Sequence, residues 1–273
     1  SAGQLGSGSY SGNISNAGTF NYASSANQTL SGIISGNGAL TQSGASTLTL
    51  TGVNTYTGAN FLNGGSLEVS ADNALGSGGV LNFYGGTLSI VGASAFASSR
   101  AVVLGGPGGY VNVSSTTGGT LSGIISGAAG TGPLVKEGVG TLVLGGVNTF
   151  LGGLYINEGT VSVSNDNRLG GTGNQVFFDG GTLLLTAGTT SSRMMALNGP
   201  ATINTGGDTL LTGLIFGDGS LTKTGTSTLT LTSANTYRGA TLISAGTIVL
   251  GNASAMAGST FDTSGAGTLN KGN

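Results

Sequence analysis

The sequence repeats itself on two scales, and this double periodicity limits the available folds more than any other property. The phrase LSGIISG at 30–36 returns unchanged at 121–127 and as LTGLIFG at 211–217, 91 and then 90 positions on. A second phrase, LTLTGVNTYTG at 48–58, comes back as LVLGGVNTFLG at 142–152 and LTLTSANTYRG at 229–239. The chain therefore reads as three units, approximately 30–120, 121–210 and 211–273, behind a partial unit at 1–29. Inside each unit runs a shorter stride. STLTL, GSLEV and GTLSI begin at 46, 65 and 86, and GTLVL, GTVSV and GTLLL begin at 140, 159 and 181.

These tracts alternate. Leu48 and Leu50 point one way while Thr47, Thr49 and Thr51 point the other, the pattern of a half-buried strand. Glycine and small polar residues bracket each tract, as strand ends require. A strand-and-turn unit of about 20 residues cannot bury its own apolar side, but successive units stacked at about 4.8 Å can bury it jointly. The expected fold is all-β, a single right-handed parallel β-helix (a β-solenoid) through residues 1–273 with coils of about 19–22 residues. About thirteen such coils would form a rod of roughly 60 Å. Glycine supplies 56 of 273 residues, and polar, glycine-rich chains are often disordered. Here the 37% hydrophobic content sits in evenly spaced strand-like tracts, which argues for a folded chain.

The same composition closes off most chemistry. With no His, a Ser-His-Asp arrangement and most zinc sites are excluded, and with no Cys there is no thiol nucleophile. No Ser lies in G-x-S-x-G and no P-loop phrase occurs; Lys136, Lys223 and Lys271 occupy matching repeat positions instead. Seven basic and nine acidic residues are scattered singly, so no stripe exists for nucleic acid or an anionic membrane. No apolar run is long enough for a membrane helix. GGTGNQVFF and GGPGGYVNV place Gln175 and Tyr110 where a calcium β-roll needs Asp. No cofactor or metal is expected.

Asp72 and Asp166 fall in equivalent segments, with Glu68 and Glu158 just before them. They could line an acidic groove or cation site, but Asp-Asn closing a turn is the simpler reading. Tyr56, Phe150 and Tyr237 share a repeat position, as do Phe83 and Phe178, and such regularity predicts packing at coil corners. Tyr10, Tyr22, Tyr110 and Tyr155 are less regular and are candidates for surface contact. Arg100 and Arg193 share SSR and are expected on solvated turns. The T-x-T phrases at 47–51 and 228–232 would suit an ice- or sugar-binding face, but the next coils read SLEVS and TIVLG, so no threonine face is expected to persist. Asn54, Asn148 and Asn235 are expected at turns, where an amide tolerates left-handed geometry and satisfies nearby backbone groups.

The run GNGALTQSGASTLTLTGVNTYTGANFLNGGSLEVSADNALGSGG resembles the autotransporter-associated β-strand repeat, also called the passenger-associated transport repeat. Residues 130–163 and 217–250 are similar. The resemblance implies a right-handed β-helix exported by a bacterial type V autotransporter and displayed outside the cell. Many such passengers are adhesins or aggregation factors, and others carry a protease or toxin. The sequence stops at GTLNKGN in mid-repeat and is expected to be a segment of a longer protein. The expected role is non-catalytic, in adhesion, self-association or as a stalk. Expected partners are host or neighbouring-cell surface molecules, or further copies, with no nucleic acid and no membrane insertion. Two alternatives stand beside it: a head-to-tail structural fibre, and a β-helical carbohydrate-active enzyme. The enzyme would need three or more acids on adjacent coils of one face.

Overall fold

The computed structural model describes residues 3–127 and 130–271. Every paired strand in it runs parallel to its neighbours, and the chain winds as a β-solenoid of about 13 turns. Strands fall on three sides taken in a fixed order, with a side left without a strand on some coils. The first face is one continuous eleven-stranded sheet, from Ser9–Tyr10 to Ile215–Phe216. The second begins as a two-stranded sheet (Ile14–Ser15, Ile34–Ser35) and resumes as a nine-stranded one, from Phe96–Ser98 to Phe261–Asp262. The third is six-stranded from Thr19–Tyr22 to Ile125–Ser126, then five-stranded from Thr190–Ser191 to Thr268–Asn270.

Inward residues form columns along the axis. On the first face Leu48, Leu67, Leu88 and Val111 lie in register on successive coils, all fully buried. Each such side chain contributes about 1.5–3 kcal/mol by leaving water. Close stacking also fixes the corners. A Cβ on Gly52 would run into the carbonyl of Gly32 one coil below, so this corner admits only glycine. Coil length is looser than the expected 19–22 residues. Thr49 pairs with Glu68, 19 positions on, but Asn112 pairs with Glu137, 25 positions on. The extra residues lie between strands, where the chain can lengthen without disturbing a column.

The units do not stack on one another. TLTL at 47–50 belongs to the first face, its counterpart TLVL at 141–144 to the second, and TLTL at 228–231 to the third. Likewise Ile34–Ser35 is on the second face, Ile125–Ser126 on the third and Ile215–Phe216 on the first. Each unit overshoots four full turns by one face, so equivalent residues look out on three different sides.

The same advance accounts for the breaks in the second and third faces. Where the Asn-Thr-aromatic phrase arrives, the strand is replaced by an irregular segment. In the first two units a short 3-10 turn, Asp72–Leu75 or Asp166–Arg168, lies above it on the next coil. The buried asparagine side chain then stands in for a peptide group. Ile34 N donates to Asn54 Oδ1 at 2.7 Å, and Asn54 Nδ2 donates to Ala74 O at 2.6 Å, joining three coils. Asn148 does the same between Ile125 N (2.8 Å) and Arg168 O (2.6 Å), and Asn235 between Ile215 N (2.8 Å) and Ala255 O (3.0 Å). The left-handed backbone expected at these positions is absent; among the described non-glycine residues only Ser7 has a positive φ. The side-chain amide meets the demand from an ordinary backbone. Replacing Asn148 with Ala leaves a buried N–H and a part-buried C=O unpaired, and should cost about 2–6 kcal/mol at about 1–3 kcal/mol per orphaned group. Urea unfolding measures it, and a loss below 1 kcal/mol would show that the bridge is dispensable.

Candidate functional site

Most residues that could have carried chemistry are absorbed by the scaffold. Arg100 does not decorate a solvated turn as expected. Its side chain is 7% exposed, pairs with Asp72 (Nε to Oδ1, 2.8 Å), and donates to the carbonyls of Asp72, Gly76 and Gly79. Arg193 repeats this with Asp166 at 2.9 Å and the carbonyls of Gly170, Gly171 and Asn174. Each guanidinium locks the coil that carries it onto the 3-10 turn below. The two aspartates are thereby engaged on different faces of the rod, and Glu158 is exposed while Glu68 accepts from Thr49 Oγ1. Among the described residues no group of His, Cys, Asp or Glu could hold a metal ion.

Lys136 and Lys223 are fully buried, which their residue type conceals. Lys136 stands in an inward column between Val111 and Ile156, and its Nζ donates to the carbonyls of Glu137, Gly138 and Glu158. Lys223 makes the matching bonds to Thr224, Gly225 and Ala245, and Gln42 holds the first unit's turn through Gly44 O and Ser46 O. The signal was available: a long polar residue recurs third in the phrases LTQS, LVKE and LTKT, at an inward-facing position.

The corner aromatics Tyr56, Phe150 and Tyr237 are fully buried, as are Phe83 and Phe178. The residue four positions on follows the hydroxyl. Tyr56 OH donates to Asn60 Oδ1 at 2.6 Å and Tyr237 OH lies 2.7 Å from Thr241 Oγ1, while Phe150, with no hydroxyl, has Leu154 at that position. Of the irregular tyrosines, Tyr22 is buried with its hydroxyl on Ala26 O, and Tyr10 packs against the core.

Tyr110 and Tyr155 lie elsewhere. On the first face they belong to one outward file in unbroken register: Tyr110, Val135, Tyr155, Phe177, Ala196, Phe216. The rings of Tyr155 and Phe177 stack with centroids 4.3 Å apart and planes within 9°. Val135 and Ala196 face outward yet are only 5% and 2% exposed. The result is a continuous apolar ridge about 24 Å long at 4.8 Å per coil. Beside it runs a second file, Asn112, Glu137, Asn157, Asp179, Asn198 and Asp218, in which acids and amides alternate coil by coil. On the other flank Leu151, Gly152, Gly153, Gly173 and Gln175 form a shallow groove against Phe177. Acids therefore do gather on one face, but on alternate coils with an amide between them.

The second face corrects the expectation about threonine. Thr141, Thr160, Thr182, Thr202 and Thr222 follow one another on five consecutive coils. The last two come from ATINT and LTKT, phrases unlike GTLVL that meet it only because the units advance around the rod. The companion file reads Val143, Ser162, Leu184, Asn204 and Thr224, so there is a single threonine row and no two-dimensional T-x-T array.

Residues 40–69, 134–163 and 221–250 match the Passenger-associated-transport-repeat family. These matches enclose the Asn-Thr-aromatic corners and the turn-capping Gln42, Lys136 and Lys223. The chain is also 38% identical over 191 residues to a protein named Adhesin BmaC autotransporter from Brucella suis biovar 1 (strain 1330). The chain is an autotransporter passenger segment. It stands at the bacterial cell surface. The match takes in 68% of this segment and 5% of the relative's length. No solved structure matches the passenger segment.

Two outcomes follow from the buried groups. Burial pushes Lys136 down to about 8, against the pull of Glu158 and Glu137, and lowers Lys223 as well. Between about pH 8 and pH 10 the unfolded chain holds protons that the folded one releases, so stability should rise with pH in that window. Burial raises Tyr56, so above pH 10 the unfolded tyrosines ionise first and the trend reverses. Denaturation midpoints at pH 7.5, 9, 10 and about 11 test this, and Lys136→Met should flatten the rise. Separately, Phe150→Tyr strands a hydroxyl against Leu154 and should cost about 1–3 kcal/mol. Adding Leu154→Asn should recover most of it, whereas additive losses would refute the pairing.

Proposed function

We propose that this passenger segment is a non-catalytic, adhesive stretch of a cell-surface rod, and that the aromatic ridge from Tyr110 to Phe216 is its contact surface. The ridge carries the reading. A solenoid gains nothing in its core from aromatic residues placed outward, yet here they hold four of six consecutive coils at one register position. Partly exposed aromatic side chains are the usual anchors of recognition surfaces, and contiguous apolar surface marks contact sites. The relative named as an adhesin supports the same role. The absorption of Asp72 and Asp166 into buried arginine clamps supports a non-catalytic reading.

Replacing Tyr155, Phe177 and Phe216 together with Ser should reduce attachment of segment-coated beads to epithelial cells about tenfold, the loss of a typical anchor cluster. The melting temperature should hardly move, because these side chains lie outside the core columns. A control on the second face, Thr160→Ser with Thr182→Ser, should attach like the parent. Unchanged attachment by the triple variant would remove the ridge from the proposal. Release of reducing sugar from polysaccharides by the parent segment would overturn its non-catalytic part.

A further inference from the structure

The ridge and its polar file together point to one class of ligand. We infer that the first face is a track for a linear, uncharged polysaccharide lying along the solenoid axis. Its sugar rings would rest on the aromatic file and its hydroxyls on the acid–amide file. This inference rests on the adhesive reading above and names the partner.

Three observations favour that occupant over a folded protein. The first is chemical pairing. The C–H faces of pyranose rings are apolar and suit Tyr110, Tyr155, Phe177 and Phe216, while vicinal hydroxyls both donate and accept. The neighbouring file offers what such diols need, carboxylate acceptors at Glu137, Asp179 and Asp218 and carboxamides at Asn112, Asn157 and Asn198. No hydrogen bond within the described residues engages the side chains of Glu137, Asn157, Asp179 or Asn198, and the last two residues are exposed.

The second observation is periodicity. The two files stand about 7 Å apart across the face and repeat about every 4.8 Å along it. An extended polysaccharide presents the same ring and the same diol at a stride of that order, so an apolar contact and a polar contact can be made together on successive coils. A globular partner has no matching repeat. Glycine widens the access: Gly152, Gly153 and Gly173 floor the groove beside Phe177, and a Cβ on Gly153 would sit 3.0 Å from the rings of Tyr155 and Phe177.

The third observation is charge. The file is negative at Glu137, Asp179 and Asp218, and the neighbouring exposed cation, Arg238, is paired with Asp218 at 3.3 Å. Lys136 is buried beneath the face with its ammonium on backbone carbonyls. A sulfated or uronic chain would be repelled, and a neutral chain would not.

The test uses the purified segment on immobilised β-1,4-glucan, β-1,4-mannan and β-1,4-xylan oligosaccharides, with heparin as the anionic chain and fibrous host proteins as the polypeptide arm. At least one neutral chain should bind, and heparin should not. Phe177→Ala and Asp179→Ala should each weaken that binding about tenfold, with unchanged melting temperatures. Asp179→Asn should retain most of it, because a carboxamide still serves hydroxyls. Thr182→Ala on the second face should have no effect. Failure of every neutral chain, preferential binding of heparin, or binding indifferent to Phe177→Ala would each overturn the inference. If the neutral chains fail while cell attachment still falls in the Ser triple variant, the partner is a polypeptide; the polysaccharide inference is lost and the adhesive reading stands. If attachment ignores the Ser triple variant, the adhesive reading itself is lost.

Discussion

Every strand in this rod pairs only with strands of neighbouring coils, never within its own coil. That dependence governs the rest. Inward side chains must fall on inward side chains one turn below, so Leu48, Leu67 and Leu88 align and glycine holds the corners where backbones meet. It also explains why interruptions carry so much polar machinery. Wherever a strand is missing, backbone groups of the flanking coils lose their partners, and buried polar groups left unpaired are costly. Asn54, Asn148 and Asn235 supply a side-chain amide at that point, and Arg100 and Arg193 reach down one coil to gather the carbonyls of the 3-10 turn.

Seen this way, the recurrent phrase is a set of repairs made once per unit. Its asparagine, its buried aromatic with a matched partner four residues on, and its lysine or glutamine on the turn carbonyls belong to one job. Strands outside the phrase are freer, since an outward residue on a solenoid answers only to solvent and to its neighbours on the same face. The ridge and the acid–amide file occupy that freedom.

The alternation in LTLT and the stride near 20 residues made the parallel solenoid legible, because stacking forces a fixed stride on any sequence that adopts it. Burial of Leu48, Tyr56 and Phe178 followed from the same pattern. What could not be read was which strands share a face. Face assignment accumulates along the chain, and coils such as the one joining Asn112 to Glu137 break a uniform count. The threonine row, the ridge and the polar file each join residues from unlike phrases, so comparing like phrases missed them. Arg100 was misplaced, and the burial of Lys136 went unread, for another reason. Charged residues are almost never fully buried unless paired, and their partners are backbone carbonyls, which a sequence does not display. Asp72 with Arg100 and Asp166 with Arg193, 28 and 27 positions apart, were nonetheless a recurrence open to inspection.

The overshoot of one face per unit has a consequence for how such rods change. A unit that closed on a whole number of turns would line up its copies, and any alteration would be written along one side. With a third of a turn left over, three units restore the starting orientation. In between, each flank is lettered by different parts of successive copies, so the flanks can diverge independently while the corners stay alike. Gain or loss of a single unit would then do more than alter length: everything beyond the join would turn by 120° and show the surroundings another side.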